Sequence, residues 1–346
     1  MRIPSLMCAL LLAGSSCEPA ARDPARVEER APGTLETLAT GLDTPWGIDF
    51  LPDGRLIFTE RPGVVSILEN GGPRQVGQIP VREQGEGGLL GIAIDPDFDR
   101  NRSIYLYYTH RTANRVSRFE LRNDSELADE TILLDNIPRA RFHNGGQIRF
   151  GPDGMLYVTT GDAEEPRLSQ DRTSLAGKIL RIRPNGFVPD DNPFGNPVWA
   201  NGLRNPQGIA WHPRTGKLYA ASHGPTRRDE INRIERGGNY GWPRPCDEPG
   251  DYIAAVRCYT GFTLAPGEVA FHGDDLYVAG LRGSQVRRLR IANGDVVEEE
   301  EFFTGLGRLR VAVVRDGWLY VATSNRDGRG RPRQGDDRIV RIRLGE

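Results

Sequence analysis

Six copies of one short pattern run along this chain, and they constrain its fold more than any other feature. Each copy has a short strand of the Leu-Tyr-Val-Ala/Thr type, then a later strand in which Ile, Val and Arg alternate. The first strands are Leu56-Ile57-Phe58, Ile104-Tyr105-Leu106, Leu156-Tyr157-Val158, Leu218-Tyr219-Ala220, Leu276-Tyr277-Val278 and Leu319-Tyr320-Val321. Turns before them include Pro52-Asp53-Gly54, Pro152-Asp153-Gly154 and Arg315-Asp316-Gly317. Later strands include Val64 to Leu68, Val116 to Leu121, Ile179 to Ile182, Val286 to Ile291 and Ile339 to Ile342. Alternation with a period of two predicts half-buried β-strands, not helices. The copies lie about 53 residues apart, the length of a four-stranded propeller blade with its loops. An all-β, six-bladed β-propeller over residues 35–346 follows. Two β-sandwiches would not produce one repeat type along the whole chain. The stretch from Leu35 to Phe50 precedes the first copy and is expected to add a strand to the last blade, closing the ring.

Composition agrees with many short strands and tight turns: 42 Gly and 25 Pro accompany only 38% hydrophobic residues among 346. A formal net charge of −2 offers no basic excess to attract phosphates, which argues against a general nucleic-acid binder. Residues 1–17 read as an export signal, with Arg2 before an apolar core from Leu6 to Ala13 and then Gly14-Ser15-Ser16-Cys17. Small residues directly before a cysteine suit a lipoprotein cleavage box, making Cys17 the lipidated first residue. A plain secretory signal is the alternative. Residues 18–34, rich in Ala, Pro, Arg and Glu without periodicity, form a flexible tether. The expected location is the periplasm or cell envelope, with possible membrane attachment through Cys17. Cys246 and Cys258 remain in the folded part, and an oxidising compartment favours a disulfide between them. Zinc is the rival, but the pair has no neighbouring histidine.

The longest intervals between copies surround glycine-rich motifs, and extra loop length there marks a functional face. In Arg141-Phe142-His143-Asn144-Gly145-Gly146-Gln147, a histidine, the usual general base near neutral pH, precedes two glycines that let backbone and ligand approach. Gly202-Leu203-Arg204-Asn205-Pro206-Gln207-Gly208, His223-Gly224-Pro225, Gly280-Leu281-Arg282-Gly283 and Arg308-Leu309-Arg310 follow. Arg308 and Arg310, two apart on a strand, point the same way, and the guanidinium fork pairs with carboxylates. Any one of these arginines alone reads as a surface salt bridge. Arg204, Arg282, Arg308 and Arg310 together favour an anionic ligand. The Gly224-Pro225 step is either an ordinary turn or a presenter of carbonyls to a cation. Asp162, 19 residues after His143, and Asp229, five after Gly224, are each a candidate to orient a histidine or to cap a turn. His110, His212 and His272 carry no motif and read as structural. There is neither a dinucleotide fingerprint before a helix nor a His-Glu-x-x-His zinc motif.

In order and spacing, these motifs resemble the soluble aldose (glucose-type) sugar dehydrogenases that use pyrroloquinoline quinone (PQQ) and calcium. The resemblance spans about residues 35–344. It implies oxidation of an aldose sugar at the anomeric carbon to a lactone, with hydride transfer to PQQ and His143 as general base. It places Asp162 and Asp229 near that histidine, and Arg204, Asn205, Arg308 and Arg310 on the cofactor. Arg282 stands where related enzymes often have a lysine. Glu86, in Gly85-Glu86-Gly87-Gly88, stands where the best-known members have glutamine, and Gln84 is close by. The carbonyls of Gly224 and Pro225 would hold the calcium that polarises the quinone. The electron acceptor is not identified by the sequence. Two other readings compete: a calcium-dependent propeller lactonase and a non-catalytic binding propeller of the envelope.

Overall fold

A computed structural model describes residues 31–345. The export signal, Cys17 and nearly all of the tether lie outside the described residues. Within them the chain is almost entirely β, folded as six four-stranded antiparallel sheets. Blade 1 comprises Pro45–Phe50, Leu56–Glu60, Val64–Glu69 and Gly72–Gln78, and blade 2 comprises Leu89–Ile94, Ser103–Thr109, Asn114–Arg122 and Glu126–Ile137. Blade 3 holds Ile148–Phe150, Leu156–Thr160, Lys178–Ile182 and Val198–Asn201; blade 4 holds Asn205–Trp211, Leu218–His223, Asp229–Ile234 and Arg257–Tyr259. Blade 5 holds Pro266–His272, Asp275–Gly280, Gln285–Ala292 and Asp295–Thr304. Leu309–Arg315, Trp318–Thr323 and Ile339–Arg343 form blade 6, whose fourth strand is Leu35–Ala39 from the other end of the chain. The repeat was therefore the second and third strand of each blade.

The segment from Leu35 to Phe50 divides between two blades. Leu35–Ala39 pairs with Ile339–Arg343 and closes the ring, whereas Pro45–Phe50 opens blade 1. Closure by hydrogen bonds between the two ends of the chain leaves no gap between first and last blades.

Six apolar clusters make up the core, one between each pair of neighbouring blades. Because every sheet is covered on both faces, its inner strands are not half-buried as alternation suggested. All seven positions of Ser103–Thr109 are buried, and all five of Lys178–Ile182. Alternation between burial and exposure appears only towards the rim, as in Asp295–Thr304. The expected burial was too low because a period of two cannot tell a sheet packed on one face from one packed on both.

Cys246 and Cys258 are disulfide-bonded, 12 residues apart. Closing a loop of this size typically contributes about 2–4 kcal/mol by limiting the unfolded chain. Replacing both cysteines by Ser should lower unfolding stability by about 2–3 kcal/mol, read from the denaturation midpoint at unchanged slope.

Candidate active site

The motif loops converge because of strand polarity. In each blade the first strand starts, and the second strand ends, on the same face of the ring. His143, Arg204 and Arg308 stand just before first strands, and His223 ends a second strand. All four line two adjoining cavities on that face. The larger is roughly 370 Å³, within the usual range of small-ligand sites.

His143 sits in the left-handed backbone region, at φ 58°. Its Nδ1 lies 2.8 Å from Asp162 Oδ1. A carboxylate accepts, so Nδ1 carries the proton and the Nε2 lone pair is left free for a substrate. Asp162 is fully buried; its Oδ1 also accepts the Glu164 N–H, and its Oδ2 accepts the Trp242 indole N–H at 2.8 Å. The glycines around the histidine stand where the chain crosses itself. A Cβ on Gly145 would stand 2.6 Å from the Thr159 carbonyl, and one on Gly161 would stand 2.0 Å from the His143 carbonyl. They let the chain approach itself and so bring Asp162 to the ring. Asn144 secures the loop from behind by accepting from Asn114 Nδ2 at 3.1 Å, while its carbonyl accepts the Tyr107 hydroxyl at 2.8 Å.

Asp229 does not reach the histidine. Its Oδ1 accepts the Gly224 N–H at 3.2 Å, and its Oδ2 accepts the N–H groups of Leu264 and Ala265, each at 2.8 Å. It shapes the Gly224-Pro225 turn. Asp162 is the orienting carboxylate, which spacing alone had left open.

Glu86 lies on the wall between the cavities. Its Oε2 accepts the His143 N–H at 3.0 Å and Asn205 Nδ2 at 3.3 Å, and its Oε1 accepts Arg329 Nη1 at 2.8 Å. Burial opposes its ionisation, but the Arg329 guanidinium and the His143 N–H hold its carboxyl below the usual carboxylate range. Gln84 is exposed and accepts from Arg82, so it takes no part. Asn205 is fully buried beneath Glu86 and the Gly145 N–H, behind the cavity wall rather than on it.

The arginines have distinct roles. Arg308 is held by Asp327 at 2.7 Å. Arg310 stacks on Trp46, donates to Gln207 at 2.9 Å, and leaves its buried Nε without a partner. Burial lowers Arg310 to about 10, so it stays cationic near neutrality. No carboxylate among the described residues lies within ion-pair distance of Arg310 or Arg282. Arg204 stacks on Trp242 and donates to the Gly224 carbonyl at 2.9 Å.

Sequence reasoning missed several members. Arg61 lines the larger cavity from a blade 1 turn, and Asp327 and Arg329 line it from one blade 6 loop; only folding joins them. Trp242 lies in a long connection with no motif. His223 was legible in its motif but had no assigned role. Its Nε2 donates to the Pro266 carbonyl at 2.8 Å, and burial pushes the ring down to about 3, so it is neutral. The remaining histidines are off both cavities.

A histidine–carboxylate pair stands beside a cavity with two uncompensated guanidinium groups, an arrangement suited to an anionic ligand next to a base. The chain belongs to the glucose/sorbosone dehydrogenase family, a family of sugar oxidoreductases, which it matches over residues 42–331. It is 30% identical to the aldose sugar dehydrogenase YliI of Escherichia coli, over 86% of this chain and 92% of that protein. Among solved structures it resembles the PQQ-bound aldose sugar dehydrogenase of Streptomyces coelicolor (TM-score 0.85, 36% identity, 91% of this chain and 99% of that one). A glucose-dehydrogenase oxidoreductase from Thermus thermophilus is also similar (TM-score 0.86, 42% identity, 89% and 99%).

Proposed function

We propose that this protein is a PQQ- and calcium-dependent dehydrogenase that oxidises aldose sugars at the anomeric carbon to lactones. The observation that carries the reading is the cavity itself: among the described residues Arg282 and Arg310 have no acidic partner, and the buried Arg310 Nε has no acceptor. A buried donor without a partner costs about 1–3 kcal/mol. A planar ligand bearing several carboxylates, as PQQ does, supplies what that wall lacks. Arg282, Arg308 and Arg310 would hold it, with Glu86 and Arg329 at its edge.

The fit to calcium rests on two carbonyls. Gly224 and Pro225 lie on one turn, and each accepts one hydrogen bond, from Arg204 and from the Arg228 N–H. A second lone pair remains on each. Calcium takes six to eight oxygens, so the ligand and water would complete the shell. When bound, PQQ supplies a two-electron acceptor and calcium a Lewis acid. This chain's own work is to bind the sugar beside them and remove a proton. His143 Nε2 accepts the anomeric hydroxyl proton, Asp162 stabilises the imidazolium that forms, and Glu86 fixes the His143 backbone.

The disulfide agrees with an exported protein, and attachment to the envelope through Cys17 belongs to the same proposal. Reconstitution provides the test. Purified protein given PQQ and calcium should reduce a dye with aldoses, and neither addition alone should suffice. Dye reduction without PQQ, or none with both, would overturn the reading.

A further inference from the structure

Blade 4 contains a long connection, residues 235–256, that departs from the repeat. It leaves the third strand on the face opposite the cavities and returns to their side along the outer edge of blade 3. There Asn239 bridges Asn201 in parallel, and the Tyr240 N–H donates to the Asn201 carbonyl at 3.0 Å. Trp242 stands at the end of this climb, with its own N–H on the Gly202 carbonyl at 2.9 Å and its carbonyl accepting Gln170 Nε2 at 2.6 Å. Four residues later Cys246 is bonded to Cys258 on the outermost strand of blade 4. The connection is thus pinned on both sides of the indole.

The indole meets two members of the site at once. Its Nε1–H donates to Asp162 Oδ2, while the Arg204 guanidinium lies 5.3 Å over its ring. Asp162 Oδ1 faces His143 Nδ1. We infer that Trp242 is a positioning residue: it holds Asp162 square to His143 and Arg204 beside the Gly224 carbonyl, and the disulfide strap holds Trp242. The inference rests on His143 being the base. Without the indole, the Asp162 carboxylate would keep only the Glu164 N–H of its own loop and the His143 ring itself. A carboxylate that rotates off Nδ1 frees the ring to adopt the other tautomer or turn away, and a base is then lost part of the time.

Trp242→Phe is the informative change, because it keeps a ring under Arg204 and removes the donor. Turnover should fall about ten- to hundredfold, the usual cost of losing such a supporting hydrogen bond. The KM for sugar and the affinity for PQQ should change little. The acid limb of the rate profile should also move to higher pH. In the molecules whose carboxylate still faces Nδ1, and which alone turn over, one donor fewer leaves more charge towards the imidazolium and favours its protonated form. The other charged groups lining the cavity beside this ring, Glu86, Arg204, Asp229, Arg282 and Arg329, are untouched by the substitution. In cofactor-free protein, the downfield proton resonance of the His143 Nδ1–H should shift, a change that a merely structural tryptophan would not cause. The Cys246→Ser/Cys258→Ser variant should give the same signs more weakly, which keeps the test decisive if Trp242→Phe folds poorly. An unchanged resonance and unchanged pH profile in both variants would overturn the inference. Should His143→Ala retain full activity, the fault would lie instead in the assignment of the base.

Discussion

His143→Ala should fold, bind PQQ and turn over about 100- to 10,000-fold more slowly than wild type, the span expected for a positioned general base. The ring is 18% exposed and makes one side-chain hydrogen bond, to Asp162, so its removal leaves the blade intact. The cofactor should stay because the proposed site gives its carboxylates to the guanidinium groups and not to the histidine. Wild-type turnover should also decline in acid, because a protonated imidazole cannot accept the hydroxyl proton. His223, the other imidazole in the cavities, is held neutral by burial down to about pH 3 and cannot produce a decline between pH 5 and 8. Single-turnover reduction of bound PQQ by an aldose isolates this step. A variant that reduces its cofactor as fast as wild type would remove His143 from the mechanism.

Arg308→Ala/Arg310→Ala should lose at least about a hundredfold in PQQ affinity. Each charge-assisted hydrogen bond is worth roughly 1.5–3 kcal/mol, and about 1.4 kcal/mol corresponds to tenfold. The two residues are not equivalent. Arg308 shares its charge with Asp327, whereas Arg310 has no acid partner among the described residues and an idle Nε. The single Arg310→Ala change should therefore cost more affinity than Arg308→Ala. Removing Arg308 alone would also leave the buried Asp327 unpaired, so part of its effect should appear as lost stability. Calorimetric titration with PQQ, run beside thermal unfolding, separates the two. Unchanged affinity in the double variant would refute the cofactor assignment.

Much of the architecture was legible because the repeat is local. Leu156-Tyr157-Val158 and its five counterparts each declare a strand through their own side chains, and six of them allow one ring. The depth of burial was not legible, since alternation in Lys178–Ile182 says nothing about what covers the second face. At the site, the motifs named His143, Arg204, Gly224, Arg308 and Arg310 because each belongs to a short stretch with its own sequence signature. Arg61, Asp327, Arg329 and Trp242 have none. Each is an ordinary residue in a loop, and each acquires its part only from what the ring places opposite it.

By itself the sequence determined the number of blades, the loops that carry chemistry, and the residue types available to a base, an anion and a cation. These depend on local spacing, which is fully written in the chain. Only the tertiary structure decided between Asp162 and Asp229. Both follow their motifs at plausible distances, but the carboxylates are consumed differently: Asp229 by three backbone N–H groups, Asp162 by a histidine, an indole and a single backbone N–H. The physical reason is that a hydrogen bond depends on the partner brought within 3 Å, and for these two aspartates those partners come from different loops and, for the indole, a different blade.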